Sequence, residues 1–282
     1  MNLWKFYRME FSVRNLGISI LSLFSVLAVK GTLDILPAAI FIFQLLLVQM
    51  NSFSMNDYFD YRVWDEDNYI HRLVENENWS HRKVLLFTVL PLIVLAATVP
   101  FSNVFFWILP AYTLLFYLYQ GPGIRLKNNF VWSIILNSVC LGTILYIYPY
   151  LALAGIPSPV FWVFAATFTF YMAFHELVHQ IAHMEKDRIH SMPERTSIST
   201  TVKLAEVFMA VPLLSALILF LKSPSEYVYL LGVVIFSAVR IYRVSETPET
   251  VESFQDIRNR WDKFYSFQEA IFIISAVILI FL

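Results

Sequence analysis

A succession of nine long apolar runs constrains this chain more than any other feature. The runs cover approximately residues 12–30, 33–55, 83–100, 103–119, 130–152, 159–182, 202–221, 226–242 and 264–282. Crossing the hydrocarbon core of a bilayer as a helix takes about 20 mostly apolar residues. Lipid permits only helices or closed barrels, and uninterrupted apolar runs exclude the barrel. We therefore predict an all-α integral membrane protein of about nine transmembrane helices, forming a single membrane domain over 1–282.

Composition agrees with this prediction. Hydrophobic residues make up 58% of the chain and charged residues 15%, against about a quarter charged in an ordinary soluble domain. The first run exceeds a typical signal-peptide core and lacks a small-residue cleavage site, so it is interpreted as helix 1. The single Cys140 lies inside the fifth run, which leaves no disulfide framework and no thiol metal site. We expect membrane lipids, and no nucleic acid, among the partners.

The distribution of basic residues predicts the orientation. With the N-terminus in the cytosol, all but Lys30 and Lys222 of the 20 Lys and Arg residues fall on the cytosolic side. The cytosolic loops are also the long ones, which places the expected chemistry on that face. Helices 2 and 6 both run into polar loops, which suggests two four-helix units, 1–127 and 128–242, followed by helix 9.

The first polar cluster opens directly from helix 2. Asn56 and Asp60 are four residues apart and share one helical face, with Asp57 one turn from Asp60. Three further acids follow: Asp65, Glu66 and Asp67. Oxygen ligands of this kind suit Mg²⁺, which shares its coordination shell with substrate phosphates. The alternative is a solvated acidic loop with an Asn helix cap.

The second cluster is a stripe along helix 6 and its extension. His175, His179, His183 and Asp187 recur every four residues. Ionisable residues in a membrane helix usually face a bundle interior or a water-filled cavity, although a hydrogen-bonded structural stripe would show the same spacing.

The same segment contains a short zinc-protease pattern. His175, Glu176 and His179 match H-E-x-x-H, the helical zinc motif of metalloproteases. The downstream candidates for a third ligand lie on the same helical face, and one helix hardly encloses a tetrahedral ion. Intramembrane zinc proteolysis therefore stays a minor alternative.

A third element is the cytosolic loop between helices 4 and 5, with Tyr119, Gly121, Pro122, Gly123, Arg125 and Lys127. Gly and Pro break the helix, and the two cations stand beside a Tyr hydroxyl. Arg can fork onto diphosphate oxygens and Lys can act as a point charge. Ordinary positive-inside anchors are the alternative interpretation.

Together these residues resemble the UbiA superfamily of intramembrane prenyltransferases. Asn56 to Asp60 is similar to the family's N-D-x-x-D motif, and Tyr119 to Lys127 is similar to its Tyr-x-x-Pro-x-x-Arg-x-Lys loop. His183-x-x-x-Asp187 occupies the place of the second D-x-x-x-D motif. The resemblance implies a helical bundle around a central cavity, in which Mg²⁺ bridges the acidic motifs and a polyprenyl diphosphate.

The resemblance also implies roles for individual residues. Asn56, Asp60 and Asp187 would bind the metal with support from Asp57, and Asp60, Asp187 and Lys127 would be catalytic. Tyr119, Arg125, Lys127 and His183 would hold the diphosphate, the imidazole donating when protonated. Loss of diphosphate would leave an allylic carbocation, which a lipid or aromatic acceptor captures.

Three departures from the family pattern keep other outcomes open. Trp64 stands where the family has a further Asp, and His183 replaces the first Asp of the second motif. The family's Arg-Pro segment after the first motif and its Gly shortly after the second are both absent. The prediction is a Mg²⁺-dependent prenyltransferase of isoprenoid metabolism, with its active site facing the cytosol. A terpene cyclase, which needs no acceptor, is the alternative, and a lipid-binding or transport protein is a third.

Overall fold

The protein is a bundle of α-helices in the computed structural model, which describes residues 1–64, 67–184 and 191–257. The helices are α1 Leu3–Phe6, α2 Met9–Lys30, α3 Ile35–Trp64, α4 Tyr69–Glu75, α5 His81–Ala97, α6 Ile108–Gln120, α7 Phe130–Asn137, α8 Leu145–Ala154, α9 Pro159–Ala182, α10 Met192–Arg195, α11 Ile198–Lys222, α12 Pro224–Tyr227 and α13 Leu231–Ser245. Short 3₁₀ turns occupy Val99–Phe101, Val104–Trp107, Leu126–Asn128 and Val228–Leu230, and a π-helical segment, Ser138–Ile144, joins α7 to α8. Residues 251–257 are also helical.

The apolar runs are helical wherever the structure describes them. Six segments of the described chain are long and apolar enough to cross a membrane: Met9–Leu27, Ile35–Val63, Phe130–Ala154, Pro159–Ala182, Ile198–Lys222 and Pro224–Ser245. The third predicted run corresponds to α5, which has 17 residues and contains Pro91. The fourth corresponds to the shorter apolar helix Val104–Gln120. The ninth run, 264–282, lies outside the described residues, so nine spans and a cytosolic N-terminus stay predictions.

Helix α3 continues well past the membrane-spanning length. Its 30 residues correspond to about 45 Å at 1.5 Å per residue, against roughly 30 Å for the hydrocarbon core. No Gly or Pro follows Pro37 within it, so nothing interrupts the helix. The residues Asn56 to Asp60 therefore lie on a rigid helix rather than on a loop.

The π-helical segment fits closely against α9. A Cβ atom at Gly142 would lie 2.4 Å from the backbone oxygen of Phe168, so only glycine permits this approach. The Thr143 and Thr169 hydroxyls form a hydrogen bond across the same contact. At the start of α8, Tyr146 packs against the rings of Phe161 and Phe168, and its ring centroid lies 5.7 and 5.5 Å from theirs. This contact forms part of the main hydrophobic core.

A second, smaller core lies beside the polar end of α3. It consists of Phe6, Tyr7, Ile70, Leu73 and Val84, all buried. The residues come from the N-terminal segment, α4 and the first turn of α5, and Tyr7 Oη donates to the Phe87 carbonyl at 2.7 Å. This core fixes the N-terminal segment against the region that follows α3.

Candidate functional site

The polar end of α3 presents Asn56 and Asp60 on one face, as their four-residue spacing predicts. Asn56 Nδ2 donates to Asp60 Oδ2 at 2.8 Å. Asp60 is only 5% exposed. A carboxylate buried to this degree requires charged or hydrogen-bonding partners, because its desolvation costs several kcal/mol.

The loop after α6 supplies those partners through an unusual backbone path. Gly121 ends α6 with its α-carbon against the Tyr117 carbonyl, where a Cβ would lie 2.6 Å from the oxygen. Gly123 and Arg125 both have positive φ, 93° and 41°. A non-glycine residue in the left-handed region costs about 1–3 kcal/mol and tends to occur at functional sites. The loop then makes one 3₁₀ turn, Leu126–Asn128, before Asn129 caps α7.

Arg125 and Lys127 both reach Asp60 from this loop. Arg125 Nη2 lies 2.6 Å from Asp60 Oδ1, and Lys127 Nζ donates to the same oxygen. Lys127 Nζ also lies 3.2 Å from Asn56 Oδ1. Both cations are almost fully buried, at 6% and 5% exposure. Two fixed cations, a carboxylate and an amide thus converge in one buried site at the end of the bundle.

Asp57 points to a different partner, although it is adjacent to Asn56. Its carboxylate forms a two-point ion pair with Arg8, with Nε to Oδ2 at 3.0 Å and Nη2 to Oδ1 at 2.5 Å. Its backbone oxygen accepts a hydrogen bond from Asn68 Nδ2 at 2.8 Å. Like Arg125, Arg8 has a positive φ, 45°. The structure thus joins Asp57 to the N-terminal segment, and its predicted support of a metal stays a prediction.

Tyr119 lies in a second polar cluster, centred on Glu176. Its hydroxyl oxygen accepts from Asn137 Nδ2 at 3.1 Å and lies 3.4 Å from Ser133 Oγ. The Glu176 carboxylate accepts from Ser133 Oγ at 2.6 Å and from Asn137 Nδ2 at 2.8 Å. We call Tyr119, Ser133, Asn137, Glu176 and Gln180 the Glu176 cluster.

The histidine stripe is only partly described. His183 caps α9, and its ring lies 4.6 Å from that of His179, centroid to centroid. Asp187 lies outside the described residues. Within residues 1–64, 67–184 and 191–257, no three His, Cys, Asp or Glu side chains gather closely enough to hold a metal. Glu176, the acidic residue of the H-E-x-x-H segment, accepts hydrogen bonds from Ser133 and Asn137 of α7.

A largely apolar cavity adjoins the polar end of α3. Its volume is about 610 Å³, and residues of α3, α5 and α6 line it. Met55, which precedes Asn56, and Gln120, which ends α6, mark its polar end, while Val99 and Trp107 lie at the other. A cavity of this size is typical of small-molecule sites.

The donor set around Asp60 fits Mg²⁺. Asn56 Oδ1 and the Asp60 carboxylate are hard oxygen donors four residues apart on one rigid helix, and Mg²⁺ is commonly held by one or two carboxylates together with substrate phosphates. In this structure the same oxygens accept hydrogen bonds from the two cations: Asp60 Oδ1 from Arg125 and Lys127, and Asn56 Oδ1 from Lys127.

Three residues of these clusters are not part of any motif in the sequence: Arg8, Ser133 and Asn137. The sequence does not distinguish Arg8 from the other cytosolic basic residues, and nothing local marks its contact with a residue 49 positions away. Ser133 and Asn137 did carry a signal, because two polar residues four apart on an apolar helix share one face.

Comparison with known proteins agrees with this fold. The profile of the UbiA prenyltransferase family matches residues 17–258. The chain therefore belongs to the UbiA prenyltransferase family, a family of membrane proteins. A search of curated protein sequences found no significant match.

Solved structures show the same fold. A UbiA homolog from Archaeoglobus fulgidus bound to GPP and Mg²⁺ superposes with a TM-score of 0.77 at 16% identity, covering 100% of both chains. The same homolog bound to DMAPP and Mg²⁺ gives a TM-score of 0.69 at 16% identity, covering 99% of each. A digeranylgeranylglyceryl phosphate synthase gives 0.73 at 17% identity, covering 98% of this chain and 97% of the other.

Proposed function

We propose that this protein is a Mg²⁺-dependent intramembrane prenyltransferase, which moves an isoprenoid group from a polyprenyl diphosphate to a lipid or aromatic acceptor. The observation that carries the proposal is the convergence of Arg125 and Lys127 on Asp60 and Asn56 in one buried site. Family membership and the relatives bound to prenyl diphosphates and Mg²⁺ support it.

The charges of the site suit the departure of a diphosphate. Arg125 and Lys127 sit where they can donate charge-assisted hydrogen bonds to its oxygens, and they are held in place before the substrate arrives. Asn56, Asp60 and the predicted ligand Asp187 would hold the metal, which would supply charge neutralisation at the leaving group.

Other features of the structure position Arg125, the isoprenoid chain and the diphosphate. The left-handed backbone at Arg125 orients its side chain toward Asp60. The position of this diphosphate-binding cation therefore does not depend on a flexible loop. The 610 Å³ apolar cavity beside Met55 has the chemistry to receive an isoprenoid chain. His183, at the end of α9, is the proposed donor to the diphosphate from the second motif. The predicted orientation would place this site at the cytosolic face.

The test is to incubate purified protein with Mg²⁺ and a series of prenyl diphosphates, and to identify the products. The proposal requires Mg²⁺-dependent release of diphosphate and transfer of the prenyl group to an added acceptor. A cyclic hydrocarbon or alcohol formed without acceptor would indicate a cyclase. Absence of both binding and release across the series would refute the proposal.

A further inference from the structure

Glu176 is a buried carboxylate that the diphosphate chemistry does not use. It lies in the last third of the membrane-spanning helix α9 and is 9% exposed. Among the described residues, no Lys or Arg lies within ion-pair distance of it. A carboxylate in a membrane helix is costly, and its presence indicates a function by default.

Neutral donors hold this carboxylate in place. Glu176 Oε1 accepts from Ser133 Oγ at 2.6 Å and from Gln180 Nε2 at 3.2 Å, while Oε2 accepts from Asn137 Nδ2 at 2.8 Å. A carboxylate oxygen has about two lone-pair sites. Oε2 therefore retains the capacity to accept one more hydrogen bond.

The Glu176 cluster follows the loop that carries Arg125 and Lys127, along α7. Ser133 and Asn137 lie roughly 4.5 and 10.5 Å along α7 from its first residue, at 1.5 Å per residue, and Lys127 precedes that residue by one short turn. Asn137 and Tyr119 are only half-buried, so the cluster has an accessible edge. The Tyr119 hydroxyl lies within electrostatic reach of both Glu176 and Asp60, so the cluster borders the site where Arg125 and Lys127 would hold a diphosphate.

We infer that the Glu176 cluster binds the hydroxyl group of the acceptor and that Glu176 takes the proton of that hydroxyl. The inference rests on the proposed function and adds the class of acceptor. The acceptor oxygen bonds to the first prenyl carbon as the bond from that carbon to the diphosphate oxygen breaks. The bonding electron pair leaves with the diphosphate, and the hydroxyl proton passes to Glu176. Asn137 and Tyr119 orient the hydroxyl.

The kinetic test uses geranyl diphosphate with 1-hexadecanol as the added hydroxyl acceptor. Glu176→Gln keeps the size of the side chain, and the amides and hydroxyl around it can reorient to pair with it. We expect ether formation to fall by about 100-fold or more, the usual contribution of a general base, with affinity for geranyl diphosphate unchanged. Glu206→Gln is the control, since Glu206 lies on α11 and makes no hydrogen bond or ion pair with the described residues.

A second measurement does not depend on turnover or on the variant. The wild type should be stabilised against thermal unfolding by 1-hexadecanol more than by its methyl ether, which cannot donate a hydrogen bond. Equal stabilisation by the two compounds, or ether formation at the wild-type rate in Glu176→Gln, would overturn the inference. A loss of geranyl diphosphate affinity parallel to the loss of rate would also overturn it and assign Glu176 a structural role. Failure of the wild type to bind geranyl diphosphate would instead refute the proposed function.

Discussion

Replacing Lys127 with Met removes one cation from the site around Asp60 and keeps an unbranched chain of similar length. Lys127 Nζ contacts the carboxylate of Asp60 and lies 3.2 Å from Asn56 Oδ1. One hydrogen bond to a charged group contributes about 1.5–3 kcal/mol. The loss of such a bond to the diphosphate corresponds to roughly a 10- to 150-fold weaker affinity.

The stability of the variant should fall less than the burial of Lys127 alone suggests. Removing one partner of a buried ion pair costs about 3–5 kcal/mol when the other charge is left alone. Here Arg125 Nη2 remains 2.6 Å from Asp60 Oδ1. We therefore expect a loss of about 1–3 kcal/mol, the cost of one hydrogen bond.

Equilibrium binding of geranyl diphosphate in the presence of Mg²⁺, measured with the purified protein, tests this reasoning. Lys203→Met is a matched control, because Lys203 is exposed on α11. A folded Lys127→Met variant that binds geranyl diphosphate as tightly as the wild type would show that Lys127 is only a topological anchor. Arg125→Ala should weaken binding over the same range.

Three other perturbations have defined outcomes. Asp57→Asn should lower the free energy of unfolding by about 1–3 kcal/mol, because Arg8 loses its ion pair. Thermal unfolding measures this loss. A changed Mg²⁺ requirement of the variant would instead indicate that Asp57 is a metal ligand. Gly142→Ala should destabilise the protein by about 1–3 kcal/mol, because its Cβ would meet the Phe168 carbonyl; an unchanged midpoint of thermal unfolding would contradict the close packing. Accessibility labelling of engineered terminal cysteines should place the N-terminus inside and the C-terminus outside, and labelling of both from one side would refute the nine-helix count.

The helices could be predicted because an apolar run of spanning length has few other structures available in lipid. Their irregularities could not. The π-helical segment Ser138–Ile144 depends on the approach of the α9 backbone to Gly142, and no local pattern encodes that contact. Helices α5 and α6 are short because the 3₁₀ turns Val99–Phe101 and Val104–Trp107 lie between them, and hydrophobicity alone does not reveal those turns.

The candidate site was predictable to the extent that its residues share a helix or a motif. The four-residue spacing of Asn56 and Asp60 predicts their common face, but the contact between Asn56 and Lys127 joins positions 71 apart. In the sequence Glu176 belongs to a zinc pattern, because it stands between His175 and His179. Its hydrogen-bond donors Ser133 and Asn137, 43 and 39 positions earlier, became visible only with the packing of α7 on α9.

The continuity of α3 has a consequence for the choice of lipid. Because the spanning segment and Asp60 belong to one uninterrupted helix, a bilayer of different thickness must tilt α3 or shift the depth of Asp60 relative to the lipid headgroups. A loop between them would absorb such a mismatch, and a rigid helix cannot. We therefore expect turnover in reconstituted vesicles to pass through an optimum as the acyl chains are lengthened. The host membrane would thus help to set the depth at which Asp60 lies relative to the headgroup boundary.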